Sequence, residues 1–431
     1  MSKSVLTKLP QSLVRLDIQI ELAESEELWQ KAEQRIASTA DLDGFRPGKA
    51  PLEIVRQKIS PKVFFDEFLN LVLPRTFSRA VLENNLETIG EPQVELKTEA
   101  INNEGFSYSA TVAVVPEVVL PEVEQLEKIK REEVVVKDEE IAEAINELRE
   151  LRAREVAVSR PAQANDLARL DVSIKKEGVV VEGGEVLNYP CLVSKKQILA
   201  EIDEALVGMK DGEKKIVAVK FPADYKNKNL AGVEAQAEVT LRQVFERLLP
   251  EVTDEFVQGL GDFKDVADLK TRLKENIFHE REHQVQQTLE NKVFDLLLEK
   301  SQVGEVPETS VALETDRIVS EIKEDLSHQQ ATWENYLGHL GLSEEKYREN
   351  LKSSAEKRAK LGFVLRALAK KWTLEVEPED VSAMSEKMSA KLTAGEAIDG
   401  VAIKNYLLYQ KTVKKVLTML VDGPAFLDHE H

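Results

Sequence analysis

The run His279-Glu280-Arg281-Glu282-His283 matches a zinc-enzyme pattern letter for letter. Two histidines four residues apart share one face of a helix and can ligate zinc, with the glutamate between them as general base. That chemistry needs a buried helix, whose variable positions are apolar. Here they are Arg281 and Glu282, and Glu275, Asn276, Gln284, Gln286 and Gln287 flank the motif. A solvated helix is therefore the reading adopted, with a zinc metalloprotease acting through His279 and His283 as a remote alternative. Cys191 has no patterned His or Asp neighbour and reads as a small buried residue rather than a nucleophile. The only cysteine cannot form a disulfide framework. Gly259-Leu260-Gly261 lacks the third glycine of a dinucleotide loop, and no phosphate-binding P-loop occurs. His328, His339, His429 and His431 form no arguable site, so no metal and no cofactor are expected.

A second stretch suits recognition. Gly44-Phe45-Arg46-Pro47-Gly48-Lys49-Ala50-Pro51 packs two glycines, two prolines, two cations and an aromatic into eight residues. Such a run forms neither a helix nor a central strand, so an exposed turn presenting Phe45, Arg46 and Lys49 is expected. From Gly44 to Lys62 the cations are Arg46, Lys49, Arg56, Lys58 and Lys62 against the single anion Glu53, a local balance of +4 on a chain of net charge −20. Such a patch addresses an anionic partner. Residue types alone leave open an ordinary tight connection with a half-buried Phe45.

The elements that hold these stretches fall into blocks. Leu13–Leu22 alternates as a half-buried strand, and a helix from Ser25 carries Trp29, Ala32, Ile36 and Ala40 on one face. After the glycine loop, Pro51 opens a short helix with Ile54 and Val55. A longer helix through Phe65, Phe68, Leu69, Val72 and Leu73 is expected to break or kink at Pro74. Strands at Pro92–Lys97 and Phe106–Val115 close an α+β domain spanning residues 1–118. A connector over 119–160 holds a helix capped by Asp138 and running to about Val156. Residues 161–247 are β-rich, with strands at Ala168–Ile174, Val179–Val181, Lys214–Val219 and Ala235–Phe245 and a helical piece near Gln197–Val207. Residues 248–431 are helical, with several narrow apolar stripes that suggest arms with partly exposed apolar faces. The fold class is thus multidomain α+β. Charged residues make up 32% and aromatics 6%, in keeping with slender, solvated elements. The acidic balance excludes wholesale nucleic-acid binding. No secretory h-region and no apolar run of bilayer length occur, so a cytoplasmic protein is expected.

The loop and the block order together resemble the trigger factor family, bacterial chaperones of nascent chains. Its ribosome-binding signature is similar to Gly44-Phe45-Arg46-x-Gly48-Lys49-x-Pro51. Gly208-Met209-Lys210-Asp211-Gly212-Glu213 and Phe221-Pro222-Ala223-Asp224-Tyr225 look like parts of its FKBP-type prolyl isomerase domain. Leu249-Pro250-Glu251-Val252-Thr253-Asp254-Glu255-Phe256 resembles its entry into the helical chaperone body. The resemblance implies an ATP-independent chaperone that docks on ribosomal protein and RNA at the tunnel exit. It would keep nascent polypeptides open for folding or export, with a homodimer off the ribosome. Pro47 stands where the family often has a cation. The family's aromatic bowl falls on Val172, Val181, Tyr189, Ile202 and Ala237, and Leu199-Ala200-Glu201-Ile202-Asp203 replaces Ile-Pro-Gly-Phe-Glu. Tyr189, Ile202, Phe221 and Tyr225 are thus the remnant of an isomerase pocket, whose activity is expected to be weak or lost. Prolyl isomerisation as the main activity is the alternative. Leu340, Leu342, Phe363, Met384, Met388 and Tyr406 are candidate client contacts, with core packing as the competing role.

Overall fold

The computed structural model describes residues 3–98, 100–102, 104–176, 178–223, 225, 230–389 and 400–423. Asp224 of the isomerase-like motif and the tail from Pro424, with His429 and His431, lie outside the described residues. The chain divides into two compact units, one of Met1–Glu132 with Gln286–His431 and one of Glu133–Val285.

The first unit begins with β1 (Lys3–Leu9), β2 (Leu13–Ile20), α1 (Leu22–Thr39), α2 (Leu52–Lys58), α3 (Pro61–Glu83), β3 (Thr88–Leu96) and β4 (Phe106–Val114). The strands form an antiparallel sheet in the order β1-β2-β4-β3. In β2 the alternate residues Val14, Leu16, Ile18 and Ile20 are buried against Leu28, Ala32, Phe68, Val72 and Phe106 of the same core. The sequence gives little sign of β1. As an edge strand it lends only Leu6 to that core, so its apolar signal is weak. Pro74 lies inside α3 without ending it. Beside it, Tyr108 Oη pairs with Thr76 Oγ1 at 2.7 Å and reaches Leu73 O at 3.4 Å, tying that turn to the sheet. The short strands β5 (Val118–Val119) and β6 (Ile129–Lys130) follow.

The second unit contains α4 (Asp138–Leu151), β7 (Arg154–Val158), β8 (Leu167–Lys176), β9 (Val179–Leu192), α5 (Ala200–Leu206), β10 (Lys214–Lys220), β11 (Glu234–Leu248) and α6 (Asp254–Gln258). Two expectations change here. Asp138 is the first helical residue rather than the cap; Glu140 reaches back to accept from the Lys137 N–H at 2.9 Å. The helix also stops at Leu151, because Arg154–Val158 pairs antiparallel with β11 and the ladder takes the backbone bonds that a longer helix would use. The strand at Val179 is far longer than its three valines suggest. β9 is paired with β8 through two register shifts, one across Leu187 and Asn188 and one across Gly183 and Gly184. Around the order β10-β11-β8-β9 lies a core of Leu170, Cys191, Leu206, Met209, Val239 and Leu241.

The helix α7 (Val266–Lys300) leads back into the first unit. Then come β12 (Gln302–Val303), α8 (Glu308–His328), α9 (Trp333–Leu340), α10 (Glu344–Lys371), α11 (Pro378–Ser389), α12 (Gly400–Leu420) and β13 (Val421–Asp422). The core of this part combines Val293 and Leu297 of α7, Val364 and Leu368 of α10, and Val416 and Leu420 of α12. β12 pairs with β5 and β13 with β6, so segments before the second unit are sewn to segments after it. The one-turn-longer-than-minimal helix α9 is absent from the sequence expectation; Thr332 caps it and Gly341 ends it in the left-handed region.

Candidate functional site

The glycine-rich run connects α1 to α2 and both of its ends are anchored. Ala40 and Ala50 are buried in a small cluster with Ile36, Val55 and Phe64. Between them Gly48 N–H donates to Ala40 O at 2.9 Å, and Lys49 N–H to Arg46 O at 2.9 Å. Gly44 and Gly48 have φ of +90° and +71°. A Cβ on Gly48 would lie 2.2 Å from the Ser38 carbonyl oxygen, whereas one on Gly44 would meet nothing within 4 Å. Gly48 is therefore required by close approach as well as by conformation.

The anchors leave the tip outside. Phe45 is 37% exposed, and Arg46, Pro47, Lys49 and Pro51 are exposed. Arg46, Lys49, Lys58 and Lys62 carry no ion pair among the described residues. The fifth cation of the patch differs. Arg56 places Nε 2.8 Å from Glu33 Oε1 and Nη2 2.5 Å from Glu33 Oε2. Glu33 is only 5% exposed, and its Oε1 also accepts from the Trp29 indole at 3.1 Å. The carboxylate holds the Arg56 guanidinium above its ordinary range. The charge balance of +4 read from the sequence therefore overstates the charge on offer, because a carboxylate distant in the chain neutralises Arg56. Sequence reasoning missed this clamp. Its signal is an acid on the apolar stripe of α1, between Trp29 and Ile36.

The isomerase-like residues gather in the second unit, yet they divide by burial. Ile202 and Phe221 are each 3% exposed and belong to the domain core, with Ala237 fully buried beside them. Tyr189, Val172 and Val181 pack against that core from partly exposed positions. Tyr225 stands at the surface, its ring 4.8 Å from Phe221 at 66°. Phe221 and Tyr225 thus remain as a ring pair, with Tyr189 the third aromatic and the other positions aliphatic. Cys191 is buried, and burial with the nearby Asp203 carboxylate pushes its thiol up to about 11, as an inert core residue requires. Asp203 itself accepts the backbone N–H groups of Ser194 and Lys196 at 2.7 and 2.8 Å, fixing the turn before α5.

His279 and His283 are exposed on α7, where Arg281 forks onto Glu140 of α4. Among the described residues no three His, Cys, Asp or Glu side chains converge as a metal-holding group. Of the candidate client contacts, Leu340, Met388 and Tyr406 are exposed, while Leu342, Phe363 and Met384 are half-buried. No helix among the described residues is long and apolar enough to cross a membrane.

Comparison with known proteins covers most of the chain. A family model described as bacterial trigger factor protein matches residues 1–148, and one for the trigger factor C-terminus matches residues 265–418. Between them, the model of FKBP-type peptidyl-prolyl cis-trans isomerase matches residues 159–242. The trigger factor of Carboxydothermus hydrogenoformans is 31% identical over 97% of this chain and 94% of its own. That of Bordetella pertussis is 32% identical over 87% and 84%, and that of Clostridium tetani 28% over 98% and 99%. A solved structure of the trigger factor chaperone aligns with 96% of this chain and 99% of its own at a TM-score of 0.44 and 20% identity.

Proposed function

The chain belongs to the trigger factor family, and from that premise we propose an ATP-independent chaperone that docks at the ribosomal tunnel exit and holds nascent polypeptides open for folding or export. The observation that carries this reading is the tip between α1 and α2. An exposed aromatic and two cations without an ion pair among the described residues stand on a firmly anchored base. Gly44, Phe45, Arg46, Gly48, Lys49 and Pro51 make the docking element. Phe45 meets an apolar site on ribosomal protein, and Arg46 and Lys49 meet phosphate. Pro47 stiffens the tip. We assign residues 1–118 to ribosome docking, 119–160 to a linker, 161–247 to the FKBP-like domain and 248–431 to client binding. The working place is the cytoplasm, with a homodimer as the state off the ribosome.

Client binding follows from weak apolar contact at several places. Leu340, Met388 and Tyr406 offer such surface. Release then comes from low affinity and needs no nucleotide.

The FKBP-like domain serves chiefly as an auxiliary binding surface. Isomerisation is helped by an apolar, water-poor bowl that favours the twisted amide. Here Ile202 and Phe221 are sunk in the core, and Val172 and Val181 are small. Co-sedimentation with ribosomes tests docking: a Phe45→Ala/Arg46→Ala double variant should stay in the supernatant. Equal sedimentation of parent and variant would defeat the docking reading. A prolyl isomerisation assay on a short peptide tests the pocket; the efficiency of an ordinary FKBP enzyme would overturn the reading of a degraded site.

A further inference from the structure

The patch around the loop contains one cation that differs from its neighbours. Arg46, Lys49, Lys58 and Lys62 have no ion pair among the described residues, whereas Arg56 is held by both oxygens of Glu33. The arrangement is built rather than incidental. Glu33 is 5% exposed, while the Arg56 side chain is 52% exposed. A carboxylate at that depth needs partners for both oxygens, and it finds three donors: Nε and Nη2 of Arg56 and the indole N–H of Trp29. Trp29 is in turn packed on Phe68 with ring centroids 5.7 Å apart, so the acid is fixed from behind. If Arg56 left for a phosphate, a buried carboxylate would remain with a single neutral donor. The guanidinium therefore stays with Glu33, although half of its side chain faces solvent.

We propose that Glu33 is a charge mask within the docking surface, withdrawing Arg56 from phosphate recognition so that docking strength is set by the loop cations Arg46 and Lys49 and their lysine neighbours. This rests on the docking reading above. The mask has a physical use. Each phosphate contact steepens the salt dependence and tightens non-specific adhesion to RNA. A chaperone that must leave the ribosome gains from limiting such contacts to those the loop aims. Glu33 acts through Arg56 and is thus a positioning residue rather than a contact.

The test is ribosome binding measured across a salt series for the parent, Glu33→Gln, Glu33→Gln/Arg56→Gln, and Arg46→Ala. Glutamine keeps an acceptor for Trp29 and similar volume but lacks the charge. Glu33→Gln should bind several-fold tighter at low salt, with log K against log salt steeper by about 0.7 to 0.9, one added phosphate contact. The Glu33→Gln/Arg56→Gln variant should return to the parent slope, which a merely structural role for Glu33 would not produce. Arg46→Ala should be shallower by a similar amount. A Glu33→Gln slope equal to the parent's, with Arg46→Ala still shallower, would overturn the mask and leave docking intact. So would a Glu33→Gln/Arg56→Gln slope shallower than the parent's, because Arg56 would then be a contact in the native protein. Arg46→Ala matching the parent in slope and affinity would remove the docking reading and the mask together.

Discussion

Replacing Gly48 with alanine should impair docking far more than the same change at Gly44, although both glycines belong to one signature. Each has a positive φ, so alanine at either position costs about 1–2 kcal/mol. At Gly44 that is the whole effect, because a Cβ there meets nothing within 4 Å. At Gly48 the Cβ would sit 2.2 Å from the Ser38 carbonyl oxygen, where ordinary contact begins near 3.4 Å, so the chain must retreat by about 1 Å. Ser38 lies in the last turn of α1 and its backbone cannot yield. The retreat breaks the 2.9 Å bond from Gly48 N–H to Ala40 O, adding about 1 kcal/mol. The anchored loop then loses about 2–3 kcal/mol relative to displaced forms, and apparent ribosome affinity falls about 30- to 150-fold, against about 5- to 30-fold for Gly44→Ala. Competition of each variant with labelled parent on ribosomes measures the ratio. Thermal melting should show both folded, since the core beneath the loop is untouched. Affinity of Gly48→Ala within twofold of the parent would refute the reasoning, as would a reversed order of the two variants.

Two other outcomes follow from buried titratable groups. Burial raises the Tyr108 phenol to about 12, so the folded protein keeps a proton that the unfolded chain releases near 10. That contribution is complete below pH 10 and declines by about 1.4 kcal/mol per unit as pH rises toward 12. Urea midpoints at pH 9 and about pH 11.5 should show the parent losing about 2 kcal/mol more than Tyr108→Phe, and equal losses would contradict the assignment. Cys191, with its thiol pushed up to about 11, should react with a thiol reagent at neutral pH only after denaturation; prompt labelling of the native protein would show that it is not enclosed.

Much of the architecture was legible because its signals are local. The alternation of Leu13–Ile20 and Phe106–Val114 marks strands whose inner faces bury every second residue. The apolar spacing of α7, α10 and α12 marks helices whose stripes meet in one core. Where the reading failed, a tertiary partner decided. β1 has a weak pattern and exists because β2 offers it an edge. Arg154–Val158 leaves the helix because β11 supplies a ladder. Pro74 does not end α3, whose packing holds the helix through the lost bond.

For the proposed docking element, the sequence by itself determined the composition of the tip: glycines where the backbone must turn, with an aromatic, two cations and two prolines beside them. Those are properties of residue types within eight positions. It also carried the resemblance from which docking on a ribosome is proposed. Only the tertiary structure decided which parts matter for which reason. It distinguished Gly48, pressed on Ser38, from Gly44 in open space. It placed Glu33 against Arg56 across 23 residues of chain, turning an apparent contact cation into a neutralised one. Charge counts add along a sequence, but Coulomb energy depends on distance and burial, and both are set only when α1 and α2 pack together.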